Sequence, residues 1–165
     1  MKRLLEGVSY IHGKDIIHRD IKPGTFTKML NLLKKANILI DNKRDLSTIK
    51  IADFGLSAEF TYEEDVNWAN KKNCGTAKFM APELLVEKLY SKPVDIWSCG
   101  ITMYMLLHEG QHPIYSKRDN LKDFLYKLKN SKIYFRPSLS KFFFFIDRNL
   151  HLLGLLRTFS GSWLK

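Results

Sequence analysis

Residues 16–41 read IIHRDIKPGTFTKMLNLLKKANILID, and the parsing of this stretch decides the fold. An apolar pair, Ile16-Ile17, runs into the charged group His18-Arg19-Asp20 and then Lys22-Pro23. Further on, Ile38 to Ile40 and Ile49 to Ile51 are short apolar runs separated by the polar DNKRDLST. That pattern predicts two strands of a hairpin with a long turn. Between the charged group and the hairpin stands Gly24 to Lys35, GTFTKMLNLLKK, which belongs to neither.

Working outward, Leu4, Leu5, Val8 and Ile11 recur at three- and four-residue spacings, predicting an amphipathic helix over 1–12 that ends near Gly13. Residues 60–74 turn polar and mixed in charge, the composition of a surface loop. Helical patterns return at 83–88 and 94–109. The second is almost continuously apolar and is expected to be buried on most sides as the centre of the core. A last amphipathic helix is expected over 120–129, with Leu121, Phe124, Leu125 and Leu128 on one face.

Composition narrows the function classes. With 45% hydrophobic residues over 165 positions the chain can bury a core, and disorder is excluded. A net charge of +10 suits nucleic acid, a membrane surface or phosphate chemistry. Its basic residues are scattered, however, apart from pairs such as Lys34-Lys35 and Lys71-Lys72, so no specific nucleic-acid partner is expected. Cys74 and Cys99 make neither a disulfide framework nor a zinc spacing, which fits a reducing compartment. The N-terminus lacks the pattern of a signal peptide. The apolar run 142–146 is broken at Asp147 and Arg148, well short of the roughly 20 residues of a membrane helix. The expectation is a cytoplasmic protein with no membrane partner.

His18-Arg19-Asp20, Lys22, Asn37, Asp53-Phe54-Gly55 and Ala81-Pro82-Glu83 occur in the order of the protein-kinase signature set. Each tripeptide alone is weak evidence, but the conjunction is specific. GTAKFMAPE and VDIWSCGITMYMLL add to it, and from residue 1 to about 130 the chain resembles the serine/threonine protein kinase catalytic domain. VDIWSCGITMYMLLHEGQHPIY is also similar to the calcium/calmodulin-dependent kinase group.

The resemblance implies a mainly α fold with a small β-hairpin, the C-terminal lobe of the kinase fold. It implies ATP- and magnesium-dependent phosphoryl transfer to a protein serine or threonine, in which the protein mostly positions groups and offsets charge. Asp20 would take the substrate hydroxyl proton, Lys22 would neutralise the transferring phosphate, and Asn37 and Asp53 would give oxygens to Mg2+. Lys22, two positions after Asp20, points to serine/threonine rather than tyrosine. Thr76 would shape the substrate-docking site beside Asp20 and Lys22. His18, Arg19, Phe54, Gly55, Glu83 and Asp95 would be structural, with His18 packed under the loop. Arg19 resembles the arginine of kinases whose activation loop is ordered by a phosphate. Asp95 also suits an N-cap, and the resemblance has it accept backbone hydrogen bonds from the catalytic loop. Tyr90, Trp97 and Tyr104 read as core.

Three departures accompany the resemblance. No Gly-rich loop, strand lysine or paired helix glutamate is present, so the N-terminal lobe is expected to be absent. The segment 24–35 interrupts the catalytic loop, and its removal would join HRDIKP to ANILID. Residues 138–165 diverge, and neither Arg148 nor Arg157 aligns with the buried arginine that would pair with Glu83. The expected organisation is therefore a partial kinase domain over 1–137 with an insert at 24–35, then a divergent segment over 138–165. A retained intron and a frame shift would produce these features. Lys72-Asn73 stands where many kinases carry an activating threonine, leaving Thr61, Tyr62 and Thr76 as the hydroxyls of the loop. The expected function is an impaired serine/threonine kinase fragment, the alternative being a catalytically inactive, pseudokinase-like binding module.

Overall fold

The computed structural model describes residues 1–23, 37–42, 45–60, 75–86, 90–131 and 133. The insert 24–35, most of the loop over 60–74 and the segment 138–165 lie outside the described residues, as does the expected boundary at 137–138. Two compact units divide the chain, residues 1–110 and 111–165.

The first unit opens on α1 (Lys2–His12), which buries Leu4, Val8 and Ile11 as their spacing predicts. Two strands follow as the ends of separate ladders. β1 (Ile16–Ile17) pairs antiparallel with β4 (Ala58–Glu59), setting Ile17 opposite Ala58. β2 (Ile38–Asn42) pairs antiparallel with β3 (Asp45–Ile51), with Ile38 opposite Ile51 and an irregularity between Ile40 and Asn42. The hairpin corrects the expected long turn, because most of DNKRDLST is strand. Its polar residues are compatible with a strand that has one solvated face; Ser47 and Lys50 are exposed.

Short 3-10 turns occupy Phe54–Leu56 and Ala77–Phe79. They are followed by α2 (Pro82–Val86) and by the long α3 (Pro93–Leu107), whose Pro93 takes the first helical position, where its missing N–H costs nothing. Along α3 Val94, Asp95, Ser98, Cys99, Ile101, Thr102 and Met103 are buried, whereas Leu106 is exposed, so the helix is covered over most of its length but not at its end.

Two apolar clusters hold the unit. Ile17, Met80, Ala81, Leu84 and Val94 form one, with Phe60, Leu85, Tyr90 and Trp97 against it. Leu4, Val8, Ile21 and Cys99 form the other, with Ile38, Ile49 and Ile51 of the hairpin at its margin. Full burial of a Val, Leu, Ile or Met side chain stabilises by about 1.5–3 kcal/mol. Both clusters draw on α3, so the strands and turns that carry the polar motifs are fixed to one helix. Burial, followed by the neighbouring Asp95 charge, pushes the Cys99 thiol far up, making it an inert packing group.

In the second unit, α4 (Leu121–Asn130) starts at a reciprocal cap in which the Asn120 side chain accepts from Asp123 N and the Asp123 carboxylate accepts from Asn120 N. Phe124 and Leu128 are buried, but Leu121, expected on the same face, is exposed in the first turn. Phe124 meets His112 and Tyr115 edge-on, with ring centroids 6.1 and 5.6 Å away.

Candidate functional site

The backbone from His18 to Asp20 is held from α3. Asp95 is fully buried, its Oδ2 accepting from His18 N and its Oδ1 from Arg19 N, both at 2.8 Å. His12, from the last turn of α1, adds a third bond, with its Nε2 2.8 Å from Asp95 Oδ2. The N-cap reading of Asp95 is thereby corrected. The cap position is Lys92, and Asp95 sits in the first turn with its carboxylate directed at the loop. A buried carboxylate is tolerated when hydrogen bonds satisfy it, and here two backbone donors and an imidazole do so.

These bonds hold Arg19 at φ 68°, a left-handed conformation that costs of order 1–3 kcal/mol for a non-glycine residue. His18 is fully buried and links two segments: its Nε2 donates to the Ala52 carbonyl at 3.0 Å and its Nδ1 accepts from Asp20 N at 3.3 Å. The pair of partners selects the Nε2–H tautomer.

Asp20, 6% exposed, collects donors on both oxygens. Oδ1 accepts from Thr76 N at 3.0 Å and from Thr76 Oγ1 at 3.1 Å. Oδ2 accepts from Asn37 Nδ2 at 2.8 Å and from Lys22 Nζ, which also lies 3.3 Å from Thr76 Oγ1. Asn37 Nδ2 reaches the Asp20 carbonyl as well, at 2.8 Å. Asp20, Lys22, Asn37 and Thr76 thus form one cluster, although 24–35 intervenes between the second and the third. Asn37 N donates to the Lys22 carbonyl at 3.4 Å and Ala52 N to the Asn37 carbonyl at 2.9 Å, so the loop is tied to the hairpin on the far side of the insert.

Gly75 is what lets Thr76 reach Asp20. Its φ is +110°, and a Cβ there would stand 2.6 Å from the Arg19 carbonyl oxygen, closer than side-chain carbons come.

Asp53 behaves otherwise. It is exposed, has φ 62°, and among the described residues accepts a long 3.4 Å bond from Gly55 N. Phe54 is 41% exposed and meets His18 edge-on at 5.0 Å. Glu83 lies in the first turn of α2, partly exposed and engaged with neighbours, so the cost of a lone buried charge does not apply to it.

The donor set suits magnesium. With its NH2 on Asp20, Asn37 has the amide oxygen left to offer, and Asp53 has an accessible carboxylate. Magnesium takes one or two such oxygens, the rest coming from water and phosphate. Among the described residues no group of three or more His, Cys, Asp or Glu gathers.

A family model for the protein kinase domain matches residues 29–144, more than half of the chain. The chain belongs to the protein kinase domain family. Asp20 and Lys22 precede the matched stretch, and Asn37, Asp53, Thr76, Glu83 and Asp95 fall inside it.

The kinase domain is also similar to curated relatives. It is 36% identical over 124 residues to a calcium/calmodulin-dependent protein kinase type II of Caenorhabditis elegans, covering 71% of this chain and 15% of that protein. It is 40% identical over 127 residues to the serine/threonine-protein kinase polo of Drosophila melanogaster, covering 77% of this chain and 18% of that protein. The chain therefore spans less than a fifth of either relative's length. No helix among the described residues is long and apolar enough to cross a membrane.

His12, Gly75 and the hydrogen-bonding role of Tyr90 escaped the sequence reading. The signal for Gly75 was its place next to Thr76 in GTAKFMAPE. His12 and Tyr90 gave none, because each partner lies more than 70 positions away.

Proposed function

We propose that this chain is part of a serine/threonine protein kinase and carries the groups that receive the substrate hydroxyl and hold magnesium-bound ATP. The observation behind this reading is the closure of Asp20, Lys22, Asn37 and Thr76 into one cluster across the insert.

Asp20 would accept the proton of a protein serine or threonine hydroxyl. Lys22 would offset the charge of the transferring phosphate, and Thr76 would hold both while forming the edge of the substrate-docking segment. Asn37 and Asp53 would hold Mg2+, which when bound spreads the negative charge of the ATP phosphates. The cytoplasm, where ATP and protein substrates meet, is the compartment proposed, with neither nucleic acid nor membrane as a specific partner. The polypeptide is read as a partial kinase domain over 1–137, carrying the insert at 24–35, followed by a divergent segment.

Transfer of labelled phosphate from magnesium-ATP to a mixed serine/threonine peptide pool tests the activity, with Asp53→Ala as the comparison. Equal signals from the two proteins would remove it. The alternative is a catalytically inactive, pseudokinase-like binding module. A thermal-shift titration separates nucleotide binding from catalysis, since a ligand of the folded state stabilises by RT ln(1 + [L]/Kd). A shift without transfer supports the binding module.

A further inference from the structure

Arg19 immediately precedes Asp20, yet its side chain serves a different segment. Its Nε donates to the Leu56 carbonyl at 2.6 Å, one terminal nitrogen to the Ser57 carbonyl at 3.2 Å, and the other to the Tyr90 hydroxyl at 2.8 Å. All three acceptors are neutral, and together they use the planar fork that sets arginine apart from lysine.

The two carbonyls belong to the turn that follows Asp53. Ser57 N donates back to the Phe54 carbonyl at 3.0 Å, and Ser57 Oγ reaches the same oxygen at 2.7 Å. Beyond it, Ala58 and Glu59 pair with β1, and Phe60 N donates to the Asp15 carbonyl at 2.6 Å. Residues 54–60 are thus gripped by Arg19 on one side and by the strand pair on the other. Arg19 is itself fixed at both ends: Asp95 holds its backbone nitrogen, and Tyr90, packed on the Ile17, Met80, Ala81, Leu84 and Val94 cluster, holds its guanidinium.

We propose that Tyr90 is a positioning residue whose hydroxyl keeps the Arg19 fork on the Leu56 and Ser57 carbonyls. The segment carrying Asp53 is then ordered by the chain's own groups, with no added phosphate required. The two residues before Cys74 are Lys72 and Asn73, neither of which has a hydroxyl to phosphorylate. The consequence for Asp53 as a magnesium ligand rests on the function proposed above, but the clamp itself does not.

The test is amide hydrogen exchange on bacterially made chain, shown by intact mass to carry no phosphate, with wild type, Tyr90→Phe and Leu84→Ala compared. Tyr90→Phe keeps the ring in its cluster and removes only the hydroxyl; Leu84→Ala loosens the same cluster without touching Arg19. Wild type is expected to protect the Ser57 amide. Tyr90→Phe is expected to speed its exchange about tenfold, the scale of one hydrogen bond to a charged group, while Leu5 in α1 is unchanged. The NMR signal of Arg19 Nε–H should weaken in parallel, a signature that loss of packing alone would not produce.

Unchanged Ser57 exchange in Tyr90→Phe overturns the proposal, as does a uniform rise across the unit like that of Leu84→Ala. Should Tyr90→Phe not fold, wild type decides alone. An Arg19 Nε–H signal protected only after inorganic phosphate is added overturns the idea, and one protected without phosphate supports it. None of these measurements involves nucleotide, so a failure of phosphotransfer and a failure of the clamp are separately visible.

Discussion

Asp20 and Asp53 are the two carboxylates on which the proposed chemistry depends, and the fold treats them in opposite ways. Asp20 is almost buried, with four donors from Lys22, Asn37 and Thr76 on its oxygens, and the backbone before it is bound to Asp95. Asp53 is exposed and, among the described residues, has one long bond inside its own turn. The proposed proton acceptor is thus organised in advance by tertiary contacts. The proposed metal ligand sits on a local turn, gripped just downstream by Arg19. Positional precision matters most at the reacting atom, where a displacement of about 1 Å costs on the order of a hundredfold in rate. A metal ligand left accessible can instead be completed by the incoming ion and phosphates.

The sharpest way to break this contrast is Asp95→Ala, which would leave the buried His18 and Arg19 amides without acceptors and Arg19 without a reason to keep its positive φ. A loss of about 3–5 kcal/mol in urea unfolding is expected, and under 1 kcal/mol would show that α3 does not hold the loop. Gly75→Ala should follow, at about 1–3 kcal/mol, because it forces a side-chain carbon against the Arg19 carbonyl at a φ that only glycine adopts freely. Its measurement is the shift of the unfolding midpoint at unchanged m-value.

Asp53→Ala should change stability by no more than about 0.5 kcal/mol while abolishing any magnesium-dependent nucleotide shift. A large stability loss would mean that Asp53 is as embedded as Asp20. The smallest effect belongs to acid titration of a hydrogen-bonded carboxylate in the second unit. Asp119 is held below the usual carboxylate range by its hydrogen bond from Lys127 and then by the Ser116 amide. A carboxyl depressed in the folded state stabilises above its unfolded pKa of about 4 and loses that contribution as pH falls through the lower folded value. Asp119→Asn should therefore be slightly less stable than wild type at neutral pH and converge with it in acid. Parallel pH curves would exclude the assignment.

The legible part of this protein was what lies close together in sequence. The stripe Leu4, Val8, Ile11 announced α1, and the apolar run from Val94 announced α3, because helical spacing brings near neighbours to one face. The motif order from His18 to Glu83 led to the family that the comparisons then showed. The polar stretch DNKRDLST misled, since exposed strand residues share the composition of turns. Asp95 invited an N-cap reading for a similar reason: an aspartate near a helix start has that local role, and only the placement of His18 and Arg19 gives it another.

By itself, then, the sequence determined the elements, the family and the residue types available for phosphate and magnesium chemistry. The tertiary structure decided which of them meet. His12 reaches Asp95 across 83 positions and Arg19 reaches Tyr90 across 71, and no local pattern encodes such separations. It also decided that Asn37 returns to Asp20 despite the insert, because backbone bonds to Lys22 and Ala52 fix it to the loop and to the hairpin alike. Closing a longer loop adds only a slowly growing entropy cost, so the contacts at its two ends, rather than its length, set the geometry between them.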